Sequence, residues 1–228
     1  MNELDQAFFK KNGYYIAKDI FSDRECENLI SAAHRLNPEN DFTPLMNKHK
    51  DSQSILDFMK NKKLISFVEK YFNGKALGLQ TEFFFMPPGT QGFSPHQDNF
   101  FVDARGDTFI SAWIALTDVC PENGGLIIWP KTHMEKKLEV LTTGEKLISN
   151  QDPNANKIST VVPKKYKGIS PSLKKGTILF IDKWLVHSSN MNQSNNYRHA
   201  LLCTYIKEGA YFKKGNYAKR EAFSLNES

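Results

Sequence analysis

The sequence predicts a mainly antiparallel β domain with helices at its N-terminal end, and three observations favour this fold class. Helical hydrophobic periodicity is confined to the first third of the 228 residues. After residue 75, short apolar runs alternate with Gly- and Pro-rich turns, which favours a sandwich or barrel over a βαβ sheet. All-β domains routinely exceed about 200 residues. We therefore predict one domain over residues 1–228, with helical support in 1–75 and the β core in 76–228.

Two helices are predicted in the N-terminal region. Ser22–Glu25 has the pattern of a capping box, and it precedes an amphipathic run that ends near Leu36. A second helix is expected over about 51–72, where apolar residues fall largely on one face. The pair Asn73-Gly74 ends this pattern, because both residue types tolerate the left-handed backbone of a helix end.

Five strands are predicted in the β region, each bounded by turn residues. They are Leu77–Met86, Thr108–Val119, Leu126–Trp129, Thr177–Asp182 and Ala200–Ile206. Between them, residues 134–176 are rich in Lys, Asn, Thr and Pro and show no clear period. A loop of that length is unusual in a compact domain, so this segment is either a functional lid or partly ordered. We expect part of it to close the mouth of the barrel.

Composition and charge limit the classes of partner. No apolar run approaches the roughly 20 residues of a membrane span, and the net charge of +5 comes largely from short Lys clusters rather than one basic stripe. We expect a small-molecule partner, no nucleic acid or membrane, and a monomer or homodimer. The cysteines lack metal-binding spacing, and the first residues lack a signal-peptide pattern. These features predict free thiols and a cytoplasmic location.

The candidate metal site begins at His96-Gln97-Asp98. Residues two apart in an extended chain project to the same side, so His96 and Asp98 are able to bind one ion. His187 follows the predicted strand at 177–182, and Arg198 lies eleven residues further along. Two His and one carboxylate form the facial triad of non-haem Fe(II), which leaves coordination positions open. An Arg nearby is suited to hold a carboxylate through two hydrogen bonds.

Further motifs surround these residues in a fixed order. They are Phe9 with Gly13-Tyr14 and Phe21-Ser22, then Ala112–Asp118, Glu122–Leu126 and Pro130–His133. Together with the His-x-Asp motif and the distal His and Arg, they resemble the phytanoyl-CoA dioxygenase family of Fe(II)/2-oxoglutarate oxygenases. The resemblance is to the small-molecule hydroxylase branch that includes ectoine hydroxylase, and it extends over nearly the whole chain. It implies a double-stranded β-helix, the cupin-like jelly roll, with N-terminal helices.

The resemblance also implies residue roles. His96, Asp98 and His187 would bind iron, and Arg198 would hold the distal carboxylate of 2-oxoglutarate. The same cosubstrate pocket would include Ser189, Trp113 and Gln80. Residues near the site in sequence are additional candidate substrate contacts: Asn99, Phe101, Arg105 and Trp129.

The implied activity is hydroxylation of an unactivated C–H bond of a small molecule. It would require Fe(II), 2-oxoglutarate and O₂, with ascorbate as a helpful addition in vitro, and it would release succinate. Asp98 argues against halogenation, because a halogenating relative needs Ala or Gly at that position. Two alternatives stay open: a non-catalytic sensor that binds metal or 2-oxoglutarate, and an oxygenase of nucleic acid or protein. Glu82, Phe84 and Met86 depart from the ectoine branch, so the substrate is not predicted.

Overall fold

A computed structural model describes residues 3–39, 42–142 and 158–225 as a jelly roll with helices packed on one face. The described helices are α1 Glu3–Asn12, α2 Asp23–Arg35, α3 Gln53–Met59, α4 Lys62–Phe72 and α5 Asn99–Val102. The described strands are β1 Tyr14–Ala17, β2 Leu45–Met46, β3 Ala76–Phe84, β4 Phe109–Ala115, β5 Leu126–Ile128, β6 Val140–Thr142, β7 Ile158–Thr160, β8 Ile178–Asp182, β9 His187–Ser189, β10 Ala200–Lys207 and β11 Phe223–Ser224.

The strands form one large sheet and two small ones within the described ranges. The large sheet has the order β1-β8-β4-β10-β3-β11, with β2 also paired to β3, and every pairing is antiparallel. Strands β5 and β9 form a second, two-stranded sheet, and β6 pairs with β7. The predicted mainly antiparallel fold class is confirmed.

The helices begin and end where local sequence satisfies their backbone. The predicted capping box of α2 is present, since the Ser22 hydroxyl accepts from the Glu25 N–H and the Glu25 carboxylate accepts from the Ser22 N–H. The single helix expected over 51–72 is wrong. It is divided into α3 and α4, because the Asn61 side chain accepts from the backbone N–H groups of Lys63 and Leu64 and starts a new helix.

The observed ends of α4 and of the strands can be compared with the predicted ones. Helix α4 ends at Asn73, whose φ of 45° is left-handed, as the Asn73-Gly74 pair indicated. The five predicted strands correspond to β3, β4, β5, β8 and β10, although most are shorter than expected. The other strands have two to four residues, which is too short for a period of two to be recognised.

The two faces of the large sheet pack against different parts of the molecule. One face packs on the helices, where Phe83, Ile110 and Phe180 join residues of α3 and α4 in a single apolar cluster. The opposite face turns towards β5, where Trp113 and Ile181 belong to a separate cluster with Leu126 and Ile128. A cavity opens on this second face, and it contains the candidate site.

The structure describes residues 134–142 and 158–176 of the segment expected to contain a lid. Residues 143–157 lie outside the described residues, so the lid prediction for them stays a prediction. On either side, β6 and β7 pair, the Thr160 N–H donates to the Pro95 carbonyl at 2.7 Å, and Ile169 bridges Ile128. The ends of the segment are thus tied to the chain directly before His96. Within the described ranges, no helix combines the length and apolar composition needed to cross a bilayer.

Candidate active site

Backbone pairing brings the two predicted histidine ligands together. The His96 N–H donates to the His187 carbonyl at 2.9 Å, and the His187 N–H donates back to the His96 carbonyl at 3.0 Å. This pair places both side chains over the inner face of the large sheet. Asp98 follows at the start of α5, so the chain turns immediately after the His-x-Asp motif. A single β-bridge thus brings together His96 and His187, which are 91 positions apart in the sequence.

The three side chains are close enough to share one ion. One ligating atom from each of His96, Asp98 and His187 lies within 4.8 Å of the others, and this is the one such group among the described residues. The Asp98 Oδ1 is 3.6 Å from His96 Nε2 and 3.5 Å from His187 Nε2. A set of two imidazoles and one carboxylate suits Fe(II).

Neighbouring carbonyl groups set the histidine tautomers. His96 Nδ1 lies 2.8 Å from the Ser94 carbonyl, and His187 Nδ1 lies 3.1 Å from the Leu185 carbonyl. Because a carbonyl only accepts hydrogen bonds, each Nδ1 carries the proton and each Nε2 keeps its lone pair for the centre of the cluster. Burial and the adjacent His187 lower the pKa of His96 to about 4, which keeps its ring neutral at physiological pH.

Ser111 orients the carboxylate ligand from the large sheet. Its hydroxyl donates to Asp98 Oδ2, which leaves Oδ1 facing the two imidazoles. Ser111 is fully buried on β4. Partners of this kind fix the orientation of metal ligands and commonly contribute a factor of about 10–100 in metal affinity.

Arg198 is a buried cation at the start of β10. It is 2% exposed, and burial lowers its pKa to about 9, so the guanidinium remains charged at neutral pH. Its Nε and Nη1 are buried without a hydrogen-bond partner, its Nη2 contacts the Met86 sulfur, and its Cζ lies 5.3 Å from the Trp113 ring centroid. No carboxylate of the described residues lies within ion-pair distance of it.

The orphaned donors of Arg198 fit an anionic ligand. A buried charge without a counterion is costly, whereas a carboxylate that accepts both free N–H groups would satisfy it. The triad and this guanidinium face the same cavity. The donor set therefore fits an Fe(II) ion together with the distal carboxylate of 2-oxoglutarate.

The cavity has a volume of about 320 Å³. It brings together the predicted iron ligands, Arg198, the three predicted cosubstrate contacts and one predicted substrate contact. These residues are His96, Asp98, His187, Arg198, Ser189, Trp113, Gln80 and Phe101. Their roles as ligand contacts remain predictions.

Three predicted substrate contacts lie outside the cavity lining, and their roles stay predictions. Asn99 is 2% exposed, and its side chain donates to and accepts from the backbone of Ala104, closing the turn after α5. Arg105 is exposed to solvent. Trp129 packs against Gly168, on the side of the chain opposite to the inward-facing Ile128.

Other cavity residues were missed by sequence reasoning. The C-terminal segment supplies Gly215–Ala218 and Arg220 to the lining, and β3 supplies Glu82. Arg220 is held there by donation from Nη1 to the Phe101 and Lys213 carbonyls. The segment has no strand or helix pattern over these residues, so its contact with the site left no periodic signal in the sequence.

Comparisons with known proteins agree with this geometry. The family described as "Phytanoyl-CoA dioxygenase (PhyH)" matches residues 9–200. The chain belongs to this family. It is a 2-oxoglutarate-dependent non-haem iron dioxygenase, so the predicted family and enzyme class are confirmed.

Relatives and solved structures define the extent of the similarity. Peroxisomal phytanoyl-CoA dioxygenase from Rattus norvegicus is 22% identical over 239 residues, covering 88% of this chain and 67% of the rat protein. The apoform of EctD from S. alaskensis has a TM-score of 0.75 at 19% identity, covering 94% of this chain and 80% of EctD. The epimerase SnoN, in complex with Fe3+, alpha ketoglutarate and nogalamycin RO, has a TM-score of 0.75 at 18% identity, covering 92% and 85%. At these identities the solved structures establish the fold.

Proposed function

We propose that this dioxygenase hydroxylates an unactivated C–H bond of a small molecule. In the balanced reaction, one O₂ is consumed. One of its oxygen atoms enters the product alcohol and the other enters succinate, while 2-oxoglutarate loses CO₂. The observation that carries the proposal is the convergence of the triad and the unpaired Arg198 guanidinium in one cavity. The volume of about 320 Å³ favours a small molecule over a macromolecular substrate.

The residues of the chain bind and orient the reactants. His96, Asp98 and His187 would hold Fe(II), which supplies O₂ activation and oxidation when it is bound with 2-oxoglutarate. Arg198 would pair with the distal carboxylate of the cosubstrate, and Ser189 and Trp113 line the same cavity. The Phe93 ring, 6.1 Å from that of His96, and Leu126 help to exclude water from the metal ligands.

The test is succinate formation by the protein with Fe(II), 2-oxoglutarate and ascorbate, screened against a metabolite library. We expect His96→Ala to lose iron binding and activity, because it removes a ligand. His133→Ala, a histidine outside the cavity, is the matched control and should retain both. Arg198→Ala should retain iron but require far more 2-oxoglutarate, whereas Arg24→Ala on the exposed side of α2 should behave as wild type.

The products decide between this proposal and its alternatives. Succinate formation coupled to a product that has gained one oxygen atom supports hydroxylation. Binding of 2-oxoglutarate without any succinate would instead support a sensor. An isomeric product without added oxygen would replace hydroxylation by epimerisation, the reaction for which SnoN is named.

A further inference from the structure

A buried methionine lies against the guanidinium that is expected to hold 2-oxoglutarate. Met86 comes two residues after β3, is 2% exposed and does not itself line the cavity. Its sulfur accepts from Arg198 Nη2, whereas Nε and Nη1 of the same guanidinium have no partner. Among the described residues, the acceptor for the Arg198 side chain is thus a neutral thioether.

Backbone hydrogen bonds fix Met86 relative to Arg198. The Met86 carbonyl accepts from the Arg198 N–H at 3.1 Å and from Asn192 Nδ2 at 2.9 Å. Asn192 is fully buried, and its Oδ1 accepts from the N–H and the hydroxyl of Ser194, which holds the turn before Arg198. Met86 and Arg198 are therefore joined both through the backbone and through their side chains.

The conformation of Met86 is one that a methionine rarely adopts. Its φ of 41° lies in the left-handed region, which is unfavourable for a residue with a Cβ. Its side chain passes over Gly124, where a Cβ would lie 2.6 Å from Met86 Cε and 2.9 Å from Met86 Sδ. Strained backbone of this kind persists where surrounding contacts determine it, and it is common at functional sites. The glycine leaves the space that the methionine needs to reach Arg198.

A neutral acceptor orients the guanidinium without neutralising its charge. A carboxylate in this position would pair with Arg198 and compete with the carboxylate of a ligand, whereas a thioether is a weak and uncharged acceptor. The Arg198 Cζ also lies over the Trp113 ring, 5.3 Å from its centroid. Ring and sulfur together restrict the rotation of the guanidinium before any ligand binds, and such pre-organisation lowers the entropic cost of binding.

We propose that Met86 is a positioning residue for cosubstrate binding, an inference that rests on the role proposed above for Arg198. Its sulfur holds Nη2 of the guanidinium and leaves the unpartnered N–H groups for the distal carboxylate of 2-oxoglutarate. The acceptor has to be uncharged, because the full positive charge of Arg198 is needed for a dicarboxylate. Met86 acts through Arg198 and does not contact the cosubstrate.

The first experiment compares three substitutions that differ in the acceptor. Met86→Leu removes the acceptor at similar volume, Met86→Gln supplies a neutral acceptor, and Met86→Glu supplies a charged one. Anaerobic calorimetry of the Fe(II) protein measures the Kd of 2-oxoglutarate. We expect Met86→Leu to raise this Kd about threefold to tenfold, the effect of one lost hydrogen bond, and Met86→Gln to stay within about twofold of wild type. Met86→Glu should raise it by a factor of about 100 or more, because its carboxylate pairs with the guanidinium.

The second experiment distinguishes positioning of Arg198 from a general disturbance of the site. 2-Oxopentanoate has the skeleton of 2-oxoglutarate with a methyl group in place of the distal carboxylate. Met86→Leu should therefore weaken binding of 2-oxoglutarate and leave the Kd of 2-oxopentanoate unchanged. Met59→Leu is the matched control, because Met59 is fully buried in the apolar cluster on the helix face, and it should change neither Kd. Urea denaturation shows whether each variant is folded.

The outcomes separate this inference from the proposed function. If Arg198→Ala binds 2-oxoglutarate as tightly as wild type, the role proposed for Arg198 fails. If Arg198→Ala weakens binding but Met86→Leu does not, the role of Arg198 stands and that of Met86 is overturned. Equal weakening of both 2-oxo acids in Met86→Leu, or a Met86→Gln variant that binds no better than Met86→Leu, would also overturn it. Wild-type binding by folded Met86→Glu would refute the need for a neutral acceptor, and if that variant does not fold, the Leu and Gln variants decide the proposal.

Discussion

The two faces of the large sheet are built from the same strands but differ in composition. On the helix face, Phe83, Ile110, Phe180 and Tyr205 are fully buried in one largely apolar cluster. On the cavity face, polar side chains lie among apolar residues such as Trp113 and Ile181. Gln80, Ser111 and Thr204 are buried there, and Glu82 is half-buried. Since neighbouring residues of a strand point to opposite faces, one stretch of sequence satisfies packing and chemistry at once.

We expect the helix face to contribute mainly to stability and the cavity face mainly to ligand binding. The helix face gains free energy from apolar burial and close ring contacts. The cavity face contains a buried cation and a buried amide oxygen without partners, which lower the stability of the ligand-free protein. Truncation of a side chain on the helix face should therefore lower the free energy of unfolding, whereas removal of an unpaired polar group on the cavity face should raise it.

The largest expected effect on stability is at Phe180. Its ring is fully buried and lies 4.1 Å, centroid to centroid, from that of Phe67. Phe180→Ala should lower the free energy of unfolding by about 3–5 kcal/mol, because it leaves a cavity in the apolar cluster. Urea denaturation measures this loss. Phe180→Leu, which retains most of the volume, should lose less, and iron affinity of the folded protein should not change in either variant.

A loss at Phe180→Ala below about 1 kcal/mol would contradict the assignment of stability to this face, since the average point substitution already costs about that much. A fall in the iron affinity of folded Phe180→Ala would show that the two faces are coupled.

The opposite sign is expected on the cavity face. Arg198→Met replaces a buried, unpaired guanidinium by an apolar side chain of comparable length beside Met86. Replacing a buried ion pair by apolar residues is often neutral or stabilising by about 1–4 kcal/mol, and here no partner charge is left behind. We expect the ligand-free variant to unfold at higher urea concentration and to lose 2-oxoglutarate binding, measured by calorimetry.

Arg24→Met is the control for a change of charge at an exposed position. If Arg198→Met destabilises the protein, then the guanidinium contributes to the fold and the separation of the two faces is incorrect.

The smallest effect is expected at Ser111. Ser111→Ala removes the donor to Asp98 Oδ2 and should weaken iron binding by about 10–100-fold, measured by competition with a chelator. Thr204→Val is the control, because Thr204 lies directly across the strand pair and donates to the Gln80 carbonyl rather than to Asp98. Equal losses in both variants would show that the effect comes from polarity of the cavity rather than from carboxylate orientation.

Local patterns were sufficient for much of the fold. The Ser22 capping box, the end of α4 at Asn73 and the five predicted strands follow from patterns within a few residues of each other. The division between α3 and α4 escaped prediction, because the apolar face continues across Asn61, whose side chain caps the start of α4. The shortest strands escaped because their pairing partners, not their own residues, define them.

The candidate site shows the same distinction. His96, Asp98, His187 and Arg198 were predicted because metal and carboxylate binding require particular residue types in a recognisable order. Asn99 and Trp129 were placed in the site only by their position in the sequence, and their side chains face a turn and the outer side of the small sheet instead.

Residue identity and short-range spacing were enough to specify the chemistry of the protein: its iron ligands, its guanidinium and its alternating strands. Only the tertiary structure decided that the Ser111 hydroxyl donates to Asp98 and that the Gln80 side-chain oxygen has no donor. It also placed Gly215–Ala218 and Arg220 in the cavity lining. These contacts join positions far apart in sequence. They leave no local periodicity, because they depend on which strands become neighbours when apolar surface is buried.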